Sequence, residues 1–294
     1  MLLIRDYLIK YSSEVDFLDL ELIIAHVLKK PREFVLAHPE YKIPKFKIKN
    51  LKLKISRRMR GEPLAYILGE KEFYGLKFKV NKNVLIPRPE TEILVDLALN
   101  NIQQSTNNKK IIIADIGTGS GNIIISVACS MKHIACNKIK YYATDISLKA
   151  LNVARQNANI YRVDKKIKFF RGNLLRPVLK MLSVASGASS VIILANLPYL
   201  SPAIYRSSQI SVRIYEPKNA LLAGYSGLFY YKELIRHIKR LKDMRSMFQA
   251  TCFMEISPEQ KKLFYNLIKK YFPGAIVKFH KDLSGRTRVC EFSI

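Results

Sequence analysis

The chain lacks the features that mark metalloproteins, secreted proteins and membrane proteins. Its four cysteines form no C-x-x-C pair and its five histidines are scattered, so we expect no metal and reduced thiols in a cytoplasmic protein. No apolar run approaches the ~20 residues that span a membrane, and we expect no membrane contact. The first residues include acids and no small-residue cleavage site, so we expect them to belong to the mature fold.

Acidic residues are few relative to basic ones. The 23 Asp and Glu residues against 50 Lys and Arg residues give a formal net charge of +27. A charge of this size favours contact with polyanions such as RNA. The lysines are spread along the chain, however, and the densest stretch, residues 42–61, alternates with apolar residues. A weak, non-specific RNA contact through this basic surface and a merely solvated surface both stay open, and we expect a monomer.

The N-terminal part of the chain has helical periodicity. Residues 1–60 show apolar positions that approximate a 3.6-residue repeat, with a new segment starting at Pro31 and another helix predicted over residues 43–60. From about residue 62 the pattern changes to a period of two, with Leu76, Phe78 and Val80 on one face and lysines between them. The segment 81–83 (NKN) follows as a turn. This alternation predicts a β-hairpin.

From about residue 90, short apolar strands alternate with helical stretches. One strand, KIKYYATD, precedes a helix that Ser147 would cap. This alternation indicates an α/β fold with a mostly parallel, doubly wound sheet. The last two strands, AIVKFH and RVCEFSI, have no helix between them, so we expect them to pair antiparallel at one edge. The organisation predicts a helical domain over 1–70, a hairpin linker over 71–90 and an α/β domain over 91–294.

A glycine-rich segment, ADIGTGSGN, lies between a predicted strand and a predicted helix. Gly117, Gly119 and Gly121 let the backbone turn tightly and approach a ligand. Asp145 ends the next strand and can accept hydrogen bonds from both hydroxyls of a ribose, as in NAD enzymes. The alternative is an acid that stabilises the following helix N-terminus. Asp115, directly before the glycines, is typical of S-adenosylmethionine (SAM)-dependent methyltransferases rather than of dehydrogenases.

The strand VIILA ends at a polar segment, Asn196-Leu197-Pro198-Tyr199 (the N-L-P-Y corner), which is also typical of SAM-dependent methyltransferases. Amide and exocyclic amine nitrogens are poor nucleophiles because their lone pair is delocalised. The Asn196 side-chain carbonyl and the Leu197 backbone carbonyl can accept both hydrogens of an –NH₂ group, which turns its lone pair toward a methyl donor. Pro198 would stiffen the loop, and Tyr199 would offer a flat face to a planar amide or base.

Several motifs together resemble the release-factor glutamine methyltransferases, the HemK/PrmC family, over about residues 15–290. They are GEPLAYILGEKEFYGLKFKVNKNVLIPRPETE (61–92), ADIGTGSGN, ATDISLKALNVARQNA (143–158), N-L-P-Y and YEPKNALLAGYSGL (215–228). The resemblance implies a Rossmann-like class I methyltransferase sheet, its last strand antiparallel, behind an N-terminal helical domain for substrate recognition. It implies SAM as cofactor and S-adenosyl-L-homocysteine as product. The implied reaction methylates N5 of the glutamine in the Gly-Gly-Gln motif of class-I peptide-chain release factors.

The resemblance also implies roles for individual residues. The cofactor site would consist of Gly117, Thr118, Gly119, Ser120, Gly121, Asp145, Asn173, Leu174 and Asn196. The substrate site would consist of Asn196, Leu197, Pro198, Tyr199, Arg88 and Glu92. Asn196, Pro198 and Tyr199 would be the catalytic residues among them. For Arg88 and Glu92, the alternative is a structural ion pair between the two.

Three positions depart from the family's usual pattern. Leu197 stands where the family usually has proline, which weakens the expected rigidity of the loop. Asn173 and Leu174 stand where an aspartate and an aromatic residue usually lie near the adenine. Ser257 stands where glycine is more frequent, with no chemical consequence expected.

Other functions stay open on the residues alone. N-L-P-Y is also found in rRNA adenine-N6 methyltransferases, and adenine N6 is likewise an –NH₂ on a flat group, so an RNA or DNA substrate is the main alternative. Those enzymes carry their extra domain after the catalytic sheet and lack the IPRPETE segment. A glutamine on a ribosomal protein and a non-catalytic RNA-binding module are two further alternatives.

Overall fold

The computed structural model describes residues 3–104, 110–132, 139–183, 189–244 and 248–294. Contacts between residues divide the chain into two compact units. The first contains Met1–Glu70 and Gln209–Tyr215, and the second contains Lys71–Ser208 and Glu216–Ile294. The domain boundaries expected at residues 70 and 90 stay predictions.

Regular secondary structure runs through both units. The helices are α1 (Ile4–Tyr11), α2 (Phe17–Leu28), α3 (Arg32–Ala37), α4 (Lys45–Met59), α5 (Leu64–Leu68), α6 (Glu92–Gln104), α7 (Asn122–Ser130), α8 (Leu148–Ile160), α9 (Leu179–Ser183), α10 (Pro202–Ser207), α11 (Ile210–Tyr215), α12 (Phe229–Met244) and α13 (Lys261–Tyr271). The strands are β1 (Glu70–Phe73), β2 (Leu76–Lys79), β3 (Lys110–Ile116), β4 (Ile139–Asp145), β5 (Ile167–Arg171), β6 (Ser189–Ala195), β7 (Ala250–Glu255), β8 (Ile276–Lys281) and β9 (Thr287–Ser293).

The first unit is a helical cluster around α2. Asp16 caps the N-terminus of this helix: its side chain accepts a hydrogen bond from the backbone N–H of Leu18 at 2.9 Å and so satisfies a donor that the helix itself cannot. Leu51 and Ile55 on α4 are fully buried in the same cluster. The helices predicted for residues 1–60 are confirmed, and the remaining positions of α4 are rich in lysine and arginine.

The hairpin strands β1 and β2 form a two-stranded sheet. The predicted alternation is confirmed, because Phe78 and Val80 are buried while the lysines beside them are exposed. The hairpin turn lies at Tyr74 and Gly75, which both have positive φ, as a tight two-residue connection requires. The segment 81–83 does turn, with Val84 donating to the Asn81 carbonyl oxygen at 3.1 Å, but it follows the strand pair rather than joining it.

A seven-stranded sheet in the order β5-β4-β3-β6-β7-β9-β8 forms the second unit. All neighbouring strands are parallel except at β9, which pairs antiparallel with both β7 and β8. The mostly parallel sheet and the antiparallel pairing of the last two strands are therefore confirmed. The chain order reverses between β3 and β6, and ligands of open α/β sheets bind beyond the carboxyl ends of the strands at such a point.

Both faces of the sheet are covered. On β3, Ile112, Ala114 and Ile116 pack into one core with residues of α12 and α13. Ile111 and Ile113 point the other way, into a core with residues of α6 and α7. Burial on both faces explains why these strands are continuous apolar runs. Within the described ranges, no helix has both the length and the apolarity that crossing a membrane would take.

Candidate active site

A cleft opens at the carboxyl ends of β3, β4 and β6, where the strand order reverses. It collects residues from the glycine loop, the end of β4, the loop after β5 and the N-L-P-Y corner. Its predicted site residues are Arg88, Gly117, Thr118, Gly119, Ser120, Asp145, Asn173, Leu174, Asn196, Leu197 and Pro198. Segments that lie far apart in sequence therefore form one continuous wall.

Backbone hydrogen bonds to β4 hold the glycine loop in place. The backbone N–H groups of Gly117 and Thr118 both donate to the Thr144 carbonyl oxygen, at 2.9 Å. Gly121 has a φ of +80° and begins α7, and a Cβ there would press on Ile125 and Ala154, so this predicted cofactor residue faces the helices behind the cleft wall. The loop thus presents the Gly117–Ser120 backbone to the cleft.

Asp115, at the end of β3, binds the glycine loop through a side-chain hydrogen bond. It is fully buried, and the Thr118 hydroxyl donates to its Oδ2 at 2.6 Å. Burial raises the pKa of Asp115 to about 7, and the hydrogen bond from Thr118 opposes part of that rise. The residue therefore anchors the loop within the core.

Asp145 lines the cleft at the end of β4. Its Oδ2 accepts from the backbone N–H of Gly119 at 2.9 Å, and its Oδ1 accepts from that of Ser147 at 2.8 Å. Burial raises the pKa of Asp145, while the backbone donors oppose that change. Ser147 caps α8 as predicted, accepting from the N–H of Ala150 at 3.2 Å. Asp145 thus both supports the loop at the start of α8 and faces the cleft.

Asn173 and Leu174 follow β5 and reach the same cleft. Asn173 is exposed and Leu174 is buried. Leu174 has a φ of +50°, an uncommon conformation for a residue of its size. Both residues line the cleft, and their contact with the adenine stays a prediction.

The N-L-P-Y corner is held by hydrogen bonds from four directions. Asn196 Nδ2 donates to Thr91 Oγ1 at 3.0 Å, and the backbone N–H of Leu197 donates to the Tyr231 hydroxyl at 3.2 Å. The Tyr199 hydroxyl donates to Glu255 Oε1 at 3.3 Å, and Gln260 Nε2 donates to the Tyr199 carbonyl oxygen at 3.0 Å. The corner is therefore fixed without the proline that the family usually has at position 197.

Glu255, at the end of β7, is a buried carboxylic acid next to this corner. Burial raises its pKa to about 7, and the nearby Thr91 and Tyr199 hydroxyls oppose the rise. Burial, followed by the charge of Glu255, raises the pKa of Tyr199 far above its ordinary value. The Tyr199 phenol therefore stays protonated and acts as a donor to Glu255.

Arg88 and Glu92 do not form the ion pair considered above. Arg88 Nη2 lies 2.5 Å from Glu216 Oε1, and Glu216 Oε2 accepts from the backbone N–H of Ile86 at 3.3 Å. Glu92 Oε1 accepts from the backbone N–H of Tyr74 at 2.8 Å. The partner of Arg88 is thus the glutamate of the YEPKNALLAG motif, while Glu92 anchors the hairpin turn.

Sequence reasoning did not identify Thr91, Glu255, Tyr231 or Glu216 as site residues. Thr91 and Glu216 lie inside motifs that carried the resemblance, and Glu255 ends a strand beside β6. A polar residue at the carboxyl end of a central strand is the signal that could have located Glu255. Among the described residues, no three His, Cys, Asp or Glu side chains are placed to hold a metal ion together.

The chain is similar to known methyltransferases over most of its length. Residues 3–69 match the family model for the PrmC N-terminal domain, and residues 94–215 match that for ribosomal protein L11 methyltransferase (PrmA). A release factor glutamine methyltransferase from Dictyoglomus turgidum is 35% identical over 280 residues, which cover 95% of this chain and 92% of that protein. The chain belongs to the release factor glutamine methyltransferase family. Its predicted family membership is confirmed.

A second member of the release factor glutamine methyltransferase family, from Bacillus cereus, is 32% identical over 92% of this chain and 89% of its own length. Among solved structures, the hMettl16 catalytic domain, in complex with a MAT2A 3′UTR hairpin, has a TM-score of 0.52 at 18% identity. The match covers 82% of this chain and 81% of that one, and it supports the class I methyltransferase fold alone. RNA contact, a monomeric state and a cytoplasmic location stay predictions.

Proposed function

We propose that the protein transfers a methyl group from SAM to N5 of the glutamine in the Gly-Gly-Gln motif of class-I peptide-chain release factors. S-adenosyl-L-homocysteine would be the second product. The observation that carries this proposal is the cleft itself, in which the Asn196 amide lies with the Gly117–Ser120 loop and Asp145. The relatives named above, all release factor glutamine methyltransferases, support the choice of substrate.

The residues of the cleft fit SAM. Among the described residues, a Cβ at Gly119 would meet only the Gly117 carbonyl oxygen within 4 Å, at 3.9 Å, so the loop leaves room for a ligand to approach its backbone. The Asp145 carboxylate would bind the ribose hydroxyls, and Asn173 and Leu174 would hold the adenine edge and face. When bound, SAM supplies an electrophilic methyl group on a sulfonium sulfur.

The corner residues would orient the glutamine amide. The Asn196 Nδ2 is engaged by Thr91, so the opposite side of this side-chain amide presents Oδ1 as an acceptor. Asn196 Oδ1 and the Leu197 carbonyl oxygen would accept the two hydrogens of the substrate –NH₂. Its lone pair then points away from both acceptors, toward the methyl group.

Two further features of the corner support amide chemistry. Pro198 restricts the backbone between the acceptors and Tyr199, so the acceptors lose little freedom on binding. The Tyr199 ring packs against the core and is not among the residues that line the cleft. Its hydroxyl bonds to Glu255, and its contact with the planar amide stays a prediction. A strong base is unnecessary, because the amide nitrogen becomes a strong acid once it has accepted the methyl group and then releases its proton to water.

The test is to incubate the enzyme with methyl-labelled SAM and either a purified class-I release factor or total rRNA. We expect label on the factor and none on a factor whose Gly-Gly-Gln glutamine is replaced by alanine. Mass spectrometry of the labelled peptide should place the methyl group on that glutamine side chain. Label on rRNA alone, or on the factor irrespective of the glutamine, contradicts the proposal.

A further inference from the structure

Thr91 contacts the side-chain amide of Asn196. The orientation of this amide determines whether a hydrogen-bond donor or an acceptor faces the cleft. A primary amide has a donor end and an acceptor end of nearly the same shape, so packing alone does not determine which end faces the cleft. In Asn196, the donor end is bonded to Thr91 Oγ1 at 3.0 Å. The Thr91 side chain is 1% exposed, so this contact is shielded from water.

A threonine hydroxyl does not by itself select the donor end of an amide, because the hydroxyl can donate as well as accept. Its proton must be engaged elsewhere before its oxygen is restricted to accepting. Glu255 is the group that can engage this proton: its carboxylate lies near enough to Thr91 to respond to its hydroxyl, and its buried Oε2 accepts no hydrogen bond from the described residues. Glu255 is itself 2% exposed and is held in place by the Tyr199 hydroxyl at 3.3 Å. A proton directed to Glu255 Oε2 would leave Thr91 Oγ1 to accept from Asn196 Nδ2, which lies 3.0 Å away.

We propose that Thr91 is a positioning residue for methyl transfer: its hydroxyl, oriented by Glu255, holds the Asn196 amide with Oδ1 facing the substrate nitrogen. The inference rests on the proposed function, because it assigns Thr91 a role in the same cleft. Thr91 would not touch the substrate or SAM in this role. Its loss leaves both ends of the Asn196 amide free to face the cleft, and an N–H group facing the substrate –NH₂ repels it.

The test compares three variants of the full chain. Thr91→Val keeps the shape and removes the hydroxyl, whereas Thr91→Ser keeps the hydroxyl. Thr251→Val is the control, because Thr251 on β7 bonds to Ser293, away from the cleft, at 3.4 Å. Thr91→Ala replaces Thr91→Val should valine prove too bulky for the fold.

We expect Thr91→Val to lower kcat by about 10- to 100-fold while the KM for the release factor and the Kd for SAM change by less than about threefold. Thr91→Ser and Thr251→Val should both stay within about threefold of the wild-type kcat. A Thr91→Val enzyme with wild-type kcat overturns the inference. So does a Thr91→Ser enzyme as impaired as Thr91→Val, because that pattern indicates a packing role.

A second readout does not depend on activity. The side-chain NH₂ signals of Asn196, assigned by their loss in Asn196→Ala, should exchange slowly with water in the wild type and in Thr91→Ser. They should exchange faster in Thr91→Val, and equal exchange in the two Thr91 variants overturns the inference. If the wild type methylates rRNA rather than a release factor, the proposed function fails, yet this exchange measurement still tests the role of Thr91.

Discussion

Tyr231 on α12 holds the backbone of Leu197 in the N-L-P-Y corner. Its hydroxyl accepts from the Leu197 N–H at 3.2 Å and donates to the backbone carbonyl oxygen of Glu255. A proline at position 197 has no N–H and could not make the first of these bonds. The hydrogen bond therefore supplies by a tertiary contact the rigidity that a proline supplies covalently. This bond compensates for the absence of the family's usual proline at position 197.

Replacing Tyr231 by phenylalanine should destabilise the protein. Tyr231 is fully buried, so its loss leaves the Leu197 N–H without its partner in a dry environment. We expect the free energy of unfolding to fall by about 1–3 kcal/mol, measured by urea denaturation. Tyr225→Phe is the matched control, because Tyr225 is 97% exposed and its change should stay within about 0.5 kcal/mol. Equal effects of the two variants contradict this role.

Replacing Asn196 by alanine should separate catalysis from cofactor binding. The variant loses the side-chain acceptor for the substrate –NH₂, while the glycine loop and Asp145 keep their contacts. We expect kcat to fall by about 100-fold or more and the Kd for SAM to change by less than about threefold. Steady-state methyl transfer and calorimetric binding of SAM measure the two quantities. Parallel losses of both mean that Asn196 is structural rather than catalytic.

Gly227 lies against the back of the corner. It has a φ of +68°, and a Cβ there would overlap the Tyr199 carbonyl oxygen and Gln260 Nε2. Gly227→Ala should therefore break the Gln260–Tyr199 hydrogen bond and move the corner.

The matched control for Gly227→Ala is Gly285→Ala, because Gly285 has a φ of +79° and no atom of the described residues lies within 4 Å of where its Cβ would be. We expect Gly227→Ala to cost roughly 2 kcal/mol more in unfolding free energy than this control, and to lower kcat. If urea denaturation shows similar losses of unfolding free energy for both variants, backbone strain alone explains the effect at position 227.

Asp115 should make stability depend on pH. Burial raises its pKa in the folded state from 3.8 to about 7, so folding favours the protonated acid. Its contribution to stability is fully present below about pH 4 and is lost as the pH rises through about 7. Asp115→Asn is neutral throughout, so the variant should gain stability relative to the wild type between pH 5 and pH 8.

Relative to the wild type, the unfolding free energy of Asp115→Asn should rise by an amount on the order of a few kcal/mol as the pH increases from below the unfolded pKa to above the folded one. Urea denaturation of both proteins at the two pH values and one ionic strength measures it. The wild type in the same buffers controls for all other titrating groups. If Asp115→Asn and the wild type differ in unfolding free energy by the same amount at pH 5 and at pH 8, the pKa of Asp115 is not raised.

The features that the sequence predicted depend on neighbouring residues. The apolar run ending at Asp115, the glycines that follow it and the cap at Ser147 each determine local geometry within a few residues. Together with the rule that parallel strands place their carboxyl ends at one edge, they located most of the cleft. The hairpin alternation was predicted in the same way, but its turn was not assigned to Tyr74 and Gly75, where positive φ is required.

The features that were not predicted depend on distant residues. Thr91 and Asn196 are 105 positions apart, and Arg88 and Glu216 are 128 apart, so only the assembled sheet brings them together. The alternative ion pair between Arg88 and Glu92, which nearness in sequence suggested, does not form, because Arg88 pairs with the buried carboxylate of Glu216. α6 was missed as well, because its apolar positions follow directly on the IPRPETE motif.

The most direct test of the account is a crystal structure of the enzyme with S-adenosyl-L-homocysteine and a Gly-Gly-Gln peptide. The glutamine nitrogen should lie about 2.7–3.2 Å from both Asn196 Oδ1 and the Leu197 carbonyl oxygen, and it should face the sulfur. The homocysteine product should lie against Gly117–Ser120 and Asp145. A glutamine nitrogen that contacts neither oxygen, or a cofactor product bound outside this cleft, contradicts the account.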